Sequence, residues 1–156
     1  MTAEQIKLSR RIHMELSDIE QVVMRAQSGW QQYKTSHDDL YLDSVALCLH
    51  GFYNGIEGLL ETIATTIDRH LPGGSSWHRD LLAQMANELP NTRPAVISES
   101  TLIALDEYRR FRHVVRNVYS YRIDPDQLEP LVEGVTVAFS QVSQELTSVA
   151  RWILQA

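Results

Sequence analysis

A chain of 156 residues, 44% apolar and 22% charged, can bury one core and is neither disordered nor fibrous by composition. Its 14 basic and 20 acidic residues leave a formal charge of −6, which excludes a globally cationic nucleic-acid binder and leaves room only for a local basic patch. Cys48 is the single cysteine, so an internal disulfide and a cysteine-rich zinc site are excluded and a reducing compartment is expected.

The opening residues Met1-Thr2-Ala3-Glu4-Gln5 have neither the basic start nor the apolar block of a secretory signal. No segment approaches a membrane-spanning apolar length, so the expectation is a cytoplasmic protein without a membrane partner. Ile12, Leu16, Ile19, Val23, Ala26, Trp30 and Tyr33 step by four and three along one stripe and predict a first helix over about residues 3–34. After the cap region Ser36-His37-Asp38, a wider stripe of Val45, Leu49, Phe52, Ile56, Leu59, Ile63 and Ile67 predicts a central helix ending at Leu71-Pro72-Gly73-Gly74. Ser75 or Ser76 is expected to open a short helix carrying Trp77, Leu81, Leu82 and Met85, followed by a proline-bounded connection from Leu89 to Ile97.

Ser98 or Ser100 opens the next helix, with Leu102, Leu105, Tyr108, Val115 and Tyr119 as its apolar positions. The last helix starts at Asp124-Pro125-Asp126-Gln127, with Asp124 as cap, Pro125 in the first turn and Gln127 as the reciprocal partner of a capping box. Its stripe is Leu128, Leu131, Val135, Ala138, Val142, Leu146, Val149 and Ile153. Nothing alternates as a strand does. The fold class is therefore all-α, an up-and-down four-helix bundle with one additional short helix, in a single domain spanning residues 1–156.

Six histidines raise the question of a metal site, yet none pairs with another at one-turn spacing and no His-Glu-x-x-His string occurs. Glu57 and Glu61 are one turn apart without the histidine that a bundle di-metal site adds. Neither a phosphate-cradling glycine loop nor the glycine-flanked serine of a hydrolase is present, so no metal and no cofactor is expected. The informative segment is Arg109-Arg110-Phe111-Arg112-His113-Val114-Val115-Arg116, the one strongly basic run in an acidic chain. Continued as helix, it aligns Arg112, Arg116 and Tyr119 on one stripe and His113 and Asn117 on the next. One reading is a solvated basic face with Tyr119 reaching out of the core. The other is functional, because Arg112 shares its stripe with Leu105, Tyr108 and Val115, and a cation at a core seam calls for a partner or a task. Tyr53, Asn54 or Glu57 of the central helix are the expected partners of Arg112 or Arg116. Trp77 and His78 are read as covering the bundle end, and Cys48 as core.

The run from Tyr108 to Asp124 resembles the HEPN superfamily, and within it the HepT-like ribonuclease toxins. Their pattern is an arginine followed by a polar residue, with a histidine five positions after the arginine and a tyrosine two further on. Arg112, His113 and Tyr119 match it, and Asn117 stands at the histidine position. Phe52-Tyr53-Asn54-Gly55-Ile56-Glu57, Trp77-His78-Arg79-Asp80-Leu81-Leu82, Arg93-Pro94-Ala95-Val96-Ile97-Ser98 and Tyr121-Arg122-Ile123-Asp124 extend the resemblance over nearly the whole chain.

The resemblance implies a homodimer with one composite cleft that cuts RNA, tRNA among the candidates, without a metal and through the RNA 2′-hydroxyl. Arg112, His113 and Asn117 would be the catalytic positions, Arg109 and Arg116 further RNA contacts, and Tyr119 the residue to which an MntA-like nucleotidyltransferase antitoxin adds AMP. Guanidinium forks suit phosphate oxygens and an imidazole titrates near neutrality. An amide cannot serve as a general base, so Asn117 departs from that chemistry and His113 is the candidate replacement. The alternatives are a catalytically impaired HEPN module that binds RNA, a nucleotide or the nucleotidyltransferase, and a purely structural helical dimerisation module.

Overall fold

A computed structural model describes all residues, 1–156. Four long helices and a short one account for most of the chain, and no strand forms. The first, α1 (Ala3–Ser36), begins with a capping box in which the Thr2 hydroxyl accepts from the Gln5 backbone and the Gln5 side chain accepts from the Thr2 backbone. It ends where His37 turns into the left-handed region. The second, α2 (Leu40–Ile63), runs on through a π-helical turn, Ala64–Asp68, and stops at left-handed Arg69, ahead of the proline and glycines expected to end it. The short α3 (Trp77–Ala86) follows, then α4 (Glu99–Asn117), a 3-10 turn (Ser120–Arg122) and α5 (Pro125–Gln155).

Helix α2 is the hub of the bundle. It packs against each of the other helices, and Phe52, Ile56, Leu59, Leu60 and Ile63 are sealed from solvent. Its approach to α1 is close because Gly55 offers only a hydrogen there: a Cβ at that position would come within 2.7 Å of Ile19. Helices α1 and α4 flank the contacting α2 and α5, and α3 lies across α2 and α4. The buried aliphatic faces of all five helices join in one hydrophobic cluster, so the predicted stripes are the core faces.

Three polar devices hold the rotation and register of the helices. The Glu145 carboxylate of α5 accepts from the Ser98 backbone (2.8 Å), the Ser98 hydroxyl and the Thr101 hydroxyl (2.6 Å) at the start of α4, where a negative charge also complements the helix dipole. The Tyr108 hydroxyl donates to the Leu131 carbonyl at 2.7 Å and ties α4 to α5. Arg93, 5% exposed, anchors the loop between α3 and α4: its Nε and Nη2 fork onto the two Asp68 carboxylate oxygens, Nη2 at 2.7 Å, and the other N–H groups of Nη1 and Nη2 reach the carbonyls of Asn87, Pro94 and Gln84. Every donor on that buried cation is answered, which is what makes its burial tolerable.

Two local expectations are corrected. Asp124 caps α5 by accepting from the Asp126 backbone, but Gln127 makes no reciprocal bond back to it. More consequentially, α4 ends at Asn117, and Val118 is extended (φ −122, ψ 138), so Tyr119 is not on the helix and does not continue the arginine stripe.

Candidate functional site

The last turns of α4 carry four arginines with different fates. Arg109 donates to Asp106 at 2.6 Å, and Arg110 pairs with Asp106 at 2.8 Å and with Glu107 more loosely. Burial pushes the Asp106 carboxyl up, but the hydrogen bonds and charges of Arg109 and Arg110 outweigh it and hold that carboxyl below its ordinary value. Arg112 and Arg116 have no carboxylate within salt-bridge distance. Of the partners expected on α2, Asn54 is the one that meets Arg112, and Glu57, the one carboxylate among them, does not. The partner of Arg112 is thus neutral: Nε donates to Asn54 Oδ1 at 3.2 Å, leaving the two terminal nitrogens uncommitted within the chain.

Asn54 belongs to a polar stripe on an otherwise apolar helix. His50, Tyr53, Asn54 and Glu57 recur at the spacings that keep one face of α2, the face that packs toward α4 and α3. Asn54 Nδ2 lies 2.9 Å from His50 Nε2, and His50 Nδ1 is buried without a partner. Burial, then the charges of Arg112 and Arg116, push the His50 imidazole below its ordinary value, with Glu57 opposing them. Glu57, 5% exposed, does not reach an arginine; it holds His78 Nδ1 at 2.7 Å, and the His78 ring lies against Trp77, tilted by 31° with centroids 3.8 Å apart. The Tyr53 hydroxyl is buried beside Glu57 without a hydrogen bond of good geometry, and burial followed by the Glu57 charge pushes it far up, so it stays protonated. Burial and then the neighbouring Glu57 charge also raise the Glu61 carboxyl, with His78 pulling the other way.

The C-terminal end of α4 explains why the helix stops. Asn117 Nδ2 donates to the His113 carbonyl at 2.7 Å and lies 3.4 Å from His113 Nδ1, so the side-chain amide folds back as an additional donor onto a carbonyl of the last turn. His113, Arg116 and Asn117 are all exposed, and Arg112 is half-buried. Beyond them Tyr119 and Tyr121 are 75% and 74% exposed, with rings stacked at 6.3 Å and an interplanar angle of 14°. The Arg122 guanidinium sits over the Tyr121 ring, 5.5 Å from its centroid.

The structure thus gathers Arg112, His113, Arg116 and Asn117 on the last turns of one helix, moves Tyr119 onto the following extended segment, and engages Arg109 with Asp106. Neither the place of His50 beside Asn54 nor the pairing of Glu57 with His78 follows from helical periodicity. The one available signal was the polar spacing from His50 to Glu57 inside the most apolar helix.

An all-α bundle with a free-arginine helix end against a polar face of its central helix is the class of molecule these observations define. The family model for HepT-like proteins matches residues 44–153, and the chain belongs to that family, which is HEPN-like in architecture. Comparison with curated proteins and with solved structures returns no match. No helix is long and apolar enough to cross a membrane.

Proposed function

We propose that this chain is the toxin component of a HEPN/MNT-type toxin–antitoxin pair: a metal-independent endoribonuclease, with residues 1–156 as one domain, acting on RNA in a cleft completed by a second copy in the cytoplasm. The observation that carries this reading is the pair of guanidiniums without carboxylates, Arg112 and Arg116, in a chain of net charge −6 whose neighbouring arginines are neutralised. Unpaired cations held together at a surface suit a phosphate. Beside them the stacked faces of Tyr119 and Tyr121 suit unpaired bases, a combination characteristic of single-stranded nucleic-acid sites.

In this reading Arg112 and Arg116 hold the scissile phosphate, with Arg109 adding charge behind Asp106. The exposed His113 takes the proton of the RNA 2′-hydroxyl as that oxygen attacks phosphorus. The bond to the 5′-oxygen breaks, and the leaving oxygen is protonated, giving a 2′,3′-cyclic phosphate and a 5′-hydroxyl. An MntA-like nucleotidyltransferase would silence the site by adding AMP to Tyr119, placing a bulky anion where RNA phosphate binds.

The test is incubation of the purified chain with RNA in the presence of a chelator, alongside Arg112→Ala. Cleavage to cyclic-phosphate ends by the parent, lost in the variant, is expected. RNA neither bound nor cut by the parent overturns the reading.

One observation favours a second reading. Asn117, at the position of the family histidine, is turned back onto the His113 carbonyl and carries no titratable group, as in a catalytically impaired module that binds RNA, a nucleotide or the nucleotidyltransferase. RNA binding without cleavage by the parent selects it.

A further inference from the structure

The polar face of α2 contains a hydrogen-bond chain whose direction is dictated by chemistry. Arginine can only donate, so the end of the Asn54 amide that faces Arg112 Nε is its oxygen. The other end, 2.9 Å from His50 Nε2, is then the NH2 group, also a donor. His50 Nε2 must accept, which makes the imidazole neutral with its proton on Nδ1, the atom buried without a partner. A single donor-only group on α4 thus determines an amide orientation and a histidine tautomer on α2.

We infer that His50 and Asn54 are positioning residues that hold the Arg112 guanidinium by its Nε, with both terminal nitrogens presented to an RNA phosphate, and that this hold lasts only while His50 is neutral. The inference rests on the proposed RNA reading for its ligand, but the hold itself is a property of the chain. Protonating His50 puts an N–H on Nε2 opposite the Asn54 NH2. Two donors repel, so the amide must turn and offer its oxygen to His50, which sets its NH2 against Arg112 Nε–H and releases the arginine. The charged groups that bear on His50 are Arg112 and Arg116 of α4, which oppose its protonation, and Glu57 of its own helix, which favours it. Burial opposes protonation too, so the folded imidazole charges at a lower pH than a free one. The sign follows: the hold is complete at neutral pH and is lost as the pH falls through the lowered value. Most RNA sites behave oppositely, since acid adds positive charge to exposed histidines and tightens phosphate binding.

The experiment measures affinity for a single-stranded RNA oligonucleotide against pH for the parent, His50→Gln and His50→Leu, with circular dichroism at each pH, and follows the Arg112 Nε–H resonance without RNA. Glutamine keeps a carbonyl acceptor that does not titrate. The expected results are a parent affinity that falls in acid, a His50→Gln affinity that does not, and a His50→Leu affinity roughly three- to tenfold weaker at neutral pH, the scale of one net hydrogen bond. The Arg112 resonance in the parent should shift with an acid titration that is absent from both variants. Parent and His50→Gln showing the same pH profile and the same untitrated Arg112 signal, with helicity intact, would overturn the inference. Should the parent bind no RNA while its Arg112 signal still titrates with His50, the hold stands and the RNA reading falls.

Discussion

Arg112 and Asn117, both on the last turns of α4, separate two questions, whether the site binds phosphate and whether it moves a proton. Arg112→Ala removes a cation that no carboxylate neutralises, so it should lower RNA affinity by about 2 kcal/mol or more, some thirtyfold, with the helical spectrum unchanged. Arg112→Lys should rescue poorly: the ammonium cannot give one N–H to Asn54 while forking two others onto a phosphate. Filter binding and circular dichroism on the two variants check both statements, and full affinity in Arg112→Ala would remove the arginine from the site. Asn117→His restores an imidazole to the helix end. The cleavage rate should rise by roughly a hundred- to ten-thousandfold if proton transfer is what the parent lacks. The replacement also removes the side-chain amide that bonds the His113 carbonyl, so cleavage is to be read per folded molecule, from rate and thermal melt together.

Where α4 ends decides what Tyr119 can do. On a continued helix its ring would lie along the arginine stripe against the bundle. After the extended Val118 it stands clear of the core, exposed and stacked on Tyr121. The break has local causes that only atomic positions weigh: a β-branched Val118, tyrosines and a serine of modest helix propensity, and an asparagine side chain that competes with the backbone for the His113 carbonyl. A modifying enzyme needs such reach around the acceptor hydroxyl. Co-expression with a cognate MntA-like nucleotidyltransferase should therefore add AMP at Tyr119, located by peptide mass spectrometry, and Tyr119→Phe should remain toxic in its presence. Modification mapped to the equally exposed Tyr121 would shift the assignment by two residues, into the 3-10 turn.

Across the whole molecule, Arg112, Arg116 and the exposed tyrosines occupy one helix end and the segment after it, a surface that would cover only one side of the proposed RNA strand. A composite cleft requires a second copy, related by a two-fold axis that brings both α4 ends together. Sedimentation equilibrium at micromolar concentration should then give twice 17.8 kDa, and a monomer at that concentration would confine the site to a single chain. The bundle is built to present this surface rigidly. The Glu145 carboxylate holds the start of α4, Tyr108 ties its middle to α5, and Asn54 receives its arginine near the end.

The sequence by itself determined the helices, because a 3.6-residue apolar rhythm and the placement of proline and glycine are local properties that burial in a bundle only has to agree with. Leu16, Leu49, Leu105 and Val142 fall on the buried faces their spacing predicts. It also singled out the basic segment as the candidate site, since Arg112 stands where aliphatic carbon is expected. Tertiary structure alone decided which charges survive. Arg109 and Arg110 are answered from within α4, whereas the partner of Arg112 depends on how α2 is rotated and how closely it approaches. The carboxylate expected for it, Glu57, is one turn too far along α2 and is taken by His78 from α3. Periodicity says which face of a helix meets its neighbours; it carries no information on which of two polar side chains on that face an incoming donor will touch, and that choice leaves Arg112 with an amide, a neutral histidine behind it, and two free nitrogens.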